Sequence, residues 1–351
     1  MNFKLTNKQI DNLVSIVILN YNAGKLLLDC VESIFETDYH NYEVILVDNA
    51  STDTSYKKCK EKFNKIHLIE NKKNLGYCEG NNVGIREAKG EYVAILNPDT
   101  KVESNWLDEL VSAYKKHGEA LYQPKILAFE NKIFESAGNM LQIFGFGYPK
   151  GRGELDSNQY NTPGKIGYAS GACLFTSMKV LNKIGYFDSF LFLYHDDLEL
   201  GWRAAQRGIK SLYVPTTIIY HLASYNLKWS EQKFFWLERN RHYCLLTHYS
   251  KKTFYKMLPS LLIVEIMIVL FYLMKGFGKA KLRAYWDILT NLKQISKKYR
   301  ELEDKKMILD KELVNDFPDQ VIVPNFLTDS FTNKIFNSII CKLSKIVKKI
   351  L

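Results

Sequence analysis

Short, unbroken apolar runs alternate with amphipathic stretches through the first 130 residues. Ser15–Asn20 (SIVILN), Glu43–Asp48 (EVILVD), Ile66–Glu70 and Glu91–Leu96 (EYVAIL) each read as a buried strand. Between them, Gly24–Glu36 sets Leu27, Val31, Ile34 and Phe35 on one helical stripe. Helices are also expected over about Asp53–Phe63 and Tyr77–Ala88, and from Ser104 with Trp106, Leu107, Leu110 and Val111. Continuous apolar strands separated by helices predict an α/β domain with a doubly wound, mostly parallel sheet.

Residues 130–165, with the stretch FGFGYPKGRGE, have weak periodicity and read as a long loop region, of the kind that often carries function. Tyr168–Thr176 reads as a strand, Asp197–Arg207 as a helix and Ile209–Val214 as a further strand. From Glu231 the pattern is helical, and residues 316–330, with two prolines, read as a linker. The expected divisions are a catalytic domain over 1–230, a helical region over 231–315 with an apolar helix at 257–274, that linker, and a last helix over 331–351.

The chain of 351 residues exceeds what one hydrophobic core organises, about 250–300 residues, which leaves room for an appendage. Its charge is placed unevenly. Residues 1–230 carry 26 Lys/Arg against 26 Asp/Glu, whereas 231–351 carry 22 against 12, so the whole net charge of +10 lies in the back half. Chemistry in front and attachment to an anionic surface behind is the expectation. The six cysteines form no C-x-x-C pair and no zinc spacing, which predicts reduced, buried thiols. The start, MNFKLTNKQIDNLVS, has no apolar h-region, consistent with a protein on the cytosolic side.

In a doubly wound sheet, ligands bind beyond the carboxyl ends of the strands. Here those ends carry Asn20-Tyr21-Asn22, Asp48-Asn49 with Ser51 and Asp53, Asn74-Leu75-Gly76, and Asn97-Pro98-Asp99. Any one of these reads equally well as a turn or helix cap. Four in succession point to a site. The chain has neither G-x-G-x-x-G after its first strand nor a G-x-x-x-x-G-K-[ST] loop, which argues against dinucleotide and P-loop phosphate sites.

The segments SIVILNYN, EVILVDNASTD, ENKKNLGYCEGNNVGI, YVAILNPDT and HDDLELGWR resemble glycosyltransferase family 2, inverting enzymes of the GT-A fold. The likeness is nearest to its rhamnosyltransferase-like branch and runs over about residues 14–245. It implies that Asn20, Tyr21, Asn22, Asp48, Asn74 and Gly76 hold the nucleotide of a UDP, dTDP or GDP sugar. Asp99 matches the retained carboxylate of the D-x-D motif, facing a divalent cation (Mg or Mn) and the diphosphate. Asp196-Asp197 matches the acidic pair, with Asp197 as catalytic base, and Glu199 and Arg203 follow at family spacing. His221 matches a histidine that completes the metal shell in some members. Position 97 is Asn where much of the family has Asp, which leaves a single carboxylate for the metal; Mg²⁺ accepts this when phosphates and waters complete its shell. Gly171-Ala172-Cys173 falls on the acceptor side. The spacing adds that Asp196 and Asp197 open a helix, whose dipole favours a charged carboxylate.

Met257–Met274 is apolar with one charge, Glu265, and is flanked by lysines. A spanning helix needs about 20 apolar residues, and a central acid costs roughly 2.5–3.5 kcal/mol on insertion. A helix lying at the membrane interface is therefore expected rather than a span, with a dimer or core helix as the alternative. In 331–351, Phe331, Ile335, Ile339, Leu343, Ile346 and Ile350 form a stripe, widened by Phe336, Ile340, Val347 and Leu351. Lys334, Lys342, Lys345, Lys348 and Lys349 face away from it with no acid among them, giving a basic amphipathic helix that is expected on an anionic membrane, with a packing helix or a coiled-coil partner as the alternatives. Positive charge that travels with apolar stripes rather than stacking aromatics argues against nucleic acid.

Together these features predict an inverting, metal-dependent glycosyltransferase at the cytoplasmic face of the cell membrane, peripheral or monotopic. It would move a sugar to a lipid-linked or polymeric glycan in cell-envelope polysaccharide synthesis, with homo-oligomers possible. A sugar-phosphate nucleotidyltransferase lacks its basic Gly-rich loop here, where only Gly24 and Lys25 stand. A non-catalytic scaffold of polysaccharide assembly is opposed by the retained Asp99 and Asp197.

Overall fold

The computed structural model describes residues 9–129, 132–222, 230–322 and 330–351. Residues 323–329 of the expected linker and the side chain of Phe331 lie outside the described residues. The front half runs β1 (Ile10–Asn20), α1 (Lys25–Phe35), β2 (Tyr42–Asp48), α2 (Ser55–Lys62), β3 (His67–Glu70), α3 (Gly76–Glu87), β4 (Gly90–Leu96), β5 (Thr100–Val102), α4 (Trp106–His117) and β6 (Ala120–Ala128). Then come β7 (Phe134–Ser136), β8 (Asn139–Leu141), β9 (Gly147–Pro149), β10 (Gly164–Ile166), β11 (Cys173–Ser177), α5 (Met178–Ile184), α6 (Asp196–Gln206) and β12 (Lys210–His221). The rest is helical: α7 (Glu231–His248), α8 (Lys251–Met274), α9 (Gly278–Thr290), α10 (Leu292–Glu303), α11 (Asp310–Asn315) and α12 (Ser330–Ile350).

The main sheet has the order β10-β12-β6-β11-β4-β1-β2-β3, with β5 on β12 and β7 on β6. β4, β1, β2 and β3 pair in parallel, as do β6 and β12. The expected parallel sheet is interrupted by β11, antiparallel to both β4 and β6. The reason is topological. The chain leaves β6 at its C-terminal end, wanders through the region read as loop, and re-enters from that same end, so β11 must run back. This sets residues 171–172 among the carboxyl ends of the parallel strands. β12 also runs past Val214, where the expected strand stopped: its register shifts between Val214 and Ile218, around Pro215, and pairing resumes to His221 opposite Thr100.

Alternate residues of the central strands feed two cores. Val14, Ile16 and Ile18 pack under α1, α2 and α4, while Val17, Ile45, Val47, Val93 and Ile95 face α3, α5 and the C-terminal helices. On α3 the approach is close: a Cβ on Gly84 would stand 2.4 Å from Val17 Cγ1, so no larger residue fits. The cysteines are free, and all but Cys341 are fully buried.

The C-terminal helices share the larger core and are joined by buried charges. Arg241 on α7 donates to Glu238 at 3.0 Å and to Glu265 on α8 at 2.6 Å, and Lys281 on α9 donates to Glu238 at 2.6 Å and also pairs with Glu265. His242 lies 3.1 Å from Glu238 and 3.2 Å from Glu265. The one acid of the apolar helix is thus turned inward onto partners. Arg241 and Lys281 fill the space between the Glu238, His242 and Glu265 side chains, which would otherwise suit a metal. α12 lies along α8, with Ile340, Leu343 and Val347 buried in the larger core and Ser344 accepting from Gln142 Nε2 at 2.8 Å. Its polar face differs from expectation at Lys348, which turns back to Asp319 at 2.7 Å and to the Phe317 carbonyl at 2.6 Å.

Removing one partner of a buried ion cluster strands the others. Glu238→Ala, which leaves Arg241 and Lys281 short of a carboxylate, is expected to lower unfolding free energy in a urea titration by about 3–5 kcal/mol.

Candidate active site

At the end of β1, Asn20 is fully buried and its amide donates to Asp48 Oδ1 at 2.8 Å and Ser51 Oγ at 3.1 Å. Asp48 ends β2, accepts the Ser51 N–H at 3.0 Å on its other oxygen, and is itself buried. Tyr21 stands open, half of its surface exposed. Asn22 adopts φ 54°, and its Oδ1 accepts the Thr52 N–H at 2.7 Å. The first two strand ends are therefore laced into one rim. Asn49 extends it, donating to Asn74 Oδ1 at 2.9 Å and accepting the Leu75 N–H at 2.9 Å.

Gly76 opens α3 with φ 75°, and a Cβ there would sit 2.5 Å from Phe192 Cδ2 and 2.6 Å from the Phe192 carbonyl. The next residue bridges the site. The Tyr77 N–H donates to the Phe192 carbonyl at 2.7 Å, and its hydroxyl donates to the Gly171 carbonyl at 2.7 Å. The Gly171 N–H donates to Asp197 Oδ2 at 3.1 Å, and the Ala172 carbonyl accepts the Asn97 N–H at 3.0 Å. The rim of Asn74 and Gly76, the acidic pair and the Asn97–Asp99 turn thus meet around residues 171–172.

Asp99 Oδ1 lies 3.1 Å from His221 Nε2, the Asn97 amide lies 3.4 Å from the same nitrogen, and His221 Nδ1 is 2.8 Å from Glu135 Oε2. Burial alone would discharge His221, but the flanking Asp99 and Glu135 carboxylates outweigh it and push it up to about 10. Burial works against Asp99 as well, yet its bond to His221 holds it below the usual carboxylate range. A carboxylate oxygen, an amide and an imidazole nitrogen whose proton a metal would displace are gathered at one point and suit a hard divalent cation. Glu135 on the far ring nitrogen is the outer carboxylate that fixes a ligating histidine. Glu135 gave no signal in sequence because it lies in the aperiodic stretch, on β7.

The acidic pair heads α6 in a strained setting. Phe192, Tyr194 and His195 all have left-handed φ, 63°, 66° and 58°. Their loop is pinned by Asn240 on α7, whose amide donates to the carbonyls of Leu191, Leu193 and Tyr194 at 3.1, 2.9 and 2.7 Å. Asp196 is buried and Asp197 half-buried. Burial raises Asp197 to about 6 against the N–H bonds from Gly171 and Leu198, and burial with the neighbouring Asp197 charge raises Asp196 further. Asp196 is therefore the protonated member of the pair, and Asp197, which accepts the two N–H bonds, is the charged one near neutral pH. Glu199 and Arg203 turn away from this opening. Arg203 pairs with Glu199 at 2.5 Å and donates to the Ile184 and Tyr186 carbonyls at 2.9 and 2.8 Å, tying α6 to the end of α5.

Residues 15–185 match the family model described as glycosyl transferase family 2. The matched segment holds every strand-end residue and stops short of Asp196 and His221. Over 214 residues the chain is 28% identical to the low-salt glycan biosynthesis hexosyltransferase Agl10 of Haloferax volcanii, covering 59% of this chain and 66% of that protein, just under two thirds of its length. It is 25% identical over 233 residues to the N-acetylglucosaminyl-diphospho-decaprenol L-rhamnosyltransferase of Mycobacterium tuberculosis, covering 60% and 76%. The solved structure of GalNAc-T7 with UDP, GalNAc and Mn2+ has a TM-score of 0.58 at 18% identity, over 71% of this chain and 51% of that one, a likeness of fold.

Gly76→Ala should add left-handed strain and a clash with the Phe192 backbone, lowering stability by about 1–3 kcal/mol in thermal unfolding. Gly153→Ala is the control, since Gly153 has φ 85° but nothing within 4 Å of its would-be Cβ, and it should cost less.

Proposed function

Residues 15–185 belong to glycosyl transferase family 2, in its GT-A fold, and on that footing we propose that this chain transfers a sugar, with inversion, from a nucleotide-sugar donor to a hydroxyl of a membrane-linked glycan. One observation carries the reading: an ionisable Asp197 and the Asp99–His221 pair are hydrogen-bonded to, or one turn from, the two adjacent residues Gly171 and Ala172. An inverting transfer requires a proton acceptor on one side of the anomeric carbon and charge stabilisation on the other.

The donor's nucleoside lies over the rim of Asn20, Tyr21, Asn22, Asp48, Asn74 and Gly76, with Asp48 accepting from base or ribose. Asp197 accepts the proton of the acceptor hydroxyl as its oxygen bonds to the anomeric carbon, and the bond from that carbon to the diphosphate oxygen breaks on the opposite face. Asp196 keeps its proton and so does not compete. A divalent cation, Mg or Mn, held by Asp99 and His221 with Asn97 alongside, would offset the charge gathering on the leaving diphosphate. Glu135 holds the His221 ring in place for that contact.

The acceptor class is suggested by the mycobacterial relative, whose name specifies a sugar-diphospho-decaprenol. With it goes a position at the cytoplasmic face of the cell membrane, on anionic lipid, peripheral or monotopic, in the assembly of a cell-envelope polysaccharide. The donor is a UDP, dTDP or GDP sugar, rhamnose included, and Tyr21 stands open at the rim of its nucleoside site.

The test is nucleoside diphosphate release from a panel of nucleotide sugars with Mg²⁺ or Mn²⁺; no release and no nucleotide binding across the panel would overturn the proposal. Asp197→Asn should lose about 10²–10⁴ in kcat with donor KM unchanged. For the native chain, activity needs Asp197 deprotonated, so kcat/KM should level off above about pH 6 and drop as pH falls through that value. Glu135→Ala should weaken Mn²⁺ binding by about 10–100-fold in calorimetry while leaving nucleotide affinity without metal unchanged.

A further inference from the structure

We propose that the α8–α9 hairpin is the surface by which this protein sits on an anionic lipid bilayer, with Ile266 and Trp286 entering the acyl boundary. The proposal rests on the reading of a membrane-linked acceptor above, and it identifies the face that would meet the membrane.

α8 is long and apolar enough by length and composition to cross a membrane, yet only 33% of its apolar window is buried in the protein. Leu262, Ile266 and Leu270 stand exposed at helical spacing along it, and Leu282, Trp286 and Leu289 do so along α9. Ile266 is 61% and Trp286 69% exposed. Soluble surfaces seldom leave such stripes side by side without a partner.

The two stripes share one face. Lys275–Phe277 turns the chain, a Cβ on Gly278 would stand 2.9 Å from Leu273 Cδ2, and further out Glu265 accepts from the Tyr285 hydroxyl. Contacts that step outward from the turn on both helices define an antiparallel pair. In such a pair, the residue after each contact position is rotated by about 100° around its own axis, toward the same side. Ile266 follows Glu265 and Trp286 follows Tyr285, so these two emerge together.

Charge selects the occupant. Between Lys251 and Lys297 the only acids are Glu265 and Asp287. Glu265 is spent on Arg241 and Lys281, and Asp287 faces Arg239 at 3.5 Å. Lys251, Lys252, Lys256, Lys275, Lys279 and Arg283 are exposed around the apolar stripes. An apolar face ringed by cations complements anionic headgroups and repels a second copy of itself. An exposed Trp beside lysines suits the interface depth, where its ring is buried and its N–H stays wet. Crossing the bilayer would pull Glu265 away from Arg241 and Lys281, stranding that carboxylate in the apolar layer and leaving two buried cations to share Glu238 alone, so the helix lies on the surface. α12 does not replace it: Ile340, Leu343 and Val347 are used against the body, and its exposed Ile335, Ile346 and Ile350 make a smaller apolar surface than the hairpin's stripes.

The experiment is flotation of the full chain with phosphatidylcholine vesicles, with and without phosphatidylglycerol. The native chain should float with the anionic vesicles and far less with the neutral ones. Ile266→Gln with Trp286→Gln should lower partitioning at least about tenfold, with unchanged circular dichroism and unchanged nucleoside diphosphate release on a water-soluble acceptor. Equal flotation of native and variant chains, or equal flotation on both vesicle types, would overturn the proposal. So would a native dimer in light scattering that the double substitution dissociates, because the face would then belong to a second copy. Flotation that persists in a chain with no transferase activity would leave the docking face standing and remove the catalytic reading instead.

Discussion

The Gly171 N–H donates to Asp197 while the carbonyl of the next residue, Ala172, accepts from Asn97, and these two hydrogen bonds hold the halves of the site in register. The constraint comes from the sheet. β11 begins opposite the last residue of β4, Cys173 against Leu96, which forces Ala172 beside Asn97. Because the chain enters β11 from the carboxyl ends of the parallel strands, the polar turn preceding it falls where ligands bind in such sheets. The acidic pair is then brought up to that turn from the far side by α6. Reversing β11, or shifting its register by one residue, would put these backbone groups on the wrong face.

This also explains what could be read from the residues alone. The strands SIVILN, EVILVD and EYVAIL are buried on both faces, so their apolar runs are continuous and their polar ends conspicuous; Asn20, Asp48, Asn97 and Asp99 could all be located from them. The helices α1 and α4 followed from equally plain stripes. What escaped notice depends on long-range pairing. Glu135 sits on a three-residue strand, too short for any periodicity, and reaches His221 across 86 positions. Asn240 lies in a helix that is polar and apolar all round, because both its faces are buried against different partners. The antiparallel direction of β11 has no local signature, since YASGACLFT reads the same in either sense. In the last helix the alternation of apolar and basic residues gave the amphipathic character but not the surface its apolar side covers.

The loop before α6 holds three non-glycine residues in left-handed conformation in a span of four. Such strain persists only where surrounding contacts over-determine it. Here the contacts are the Tyr77 N–H on the Phe192 carbonyl and the three carbonyls gathered by Asn240. Phe192 is stacked on Trp236, centroids 5.2 Å apart, so the side chain is fixed as well as the backbone. The outcome is that two adjacent carboxyl groups are delivered to a confined place where they cannot both ionise cheaply. Burial protonates the deeper one, and two peptide N–H groups keep the other charged.

Four consecutive residues of α7 connect this loop to the helices behind it. Arg239 donates to the Leu191 carbonyl at 2.9 Å and Asn240 gathers the three carbonyls, while Glu238 and Arg241, three positions apart on the helix, carry the buried charges that bind α8 and α9. The division follows from helical geometry: positions three apart share a face, and the residues between them look elsewhere. One helix therefore holds the loop before α6 with one face and the apolar hairpin with the other. The buried charges add directional hydrogen bonds to an otherwise apolar junction, so α8 and α9 have one seating rather than a range of sliding ones. A surface fixed in this way keeps a set orientation relative to Asp197, which is what the proposed membrane-linked acceptor would require.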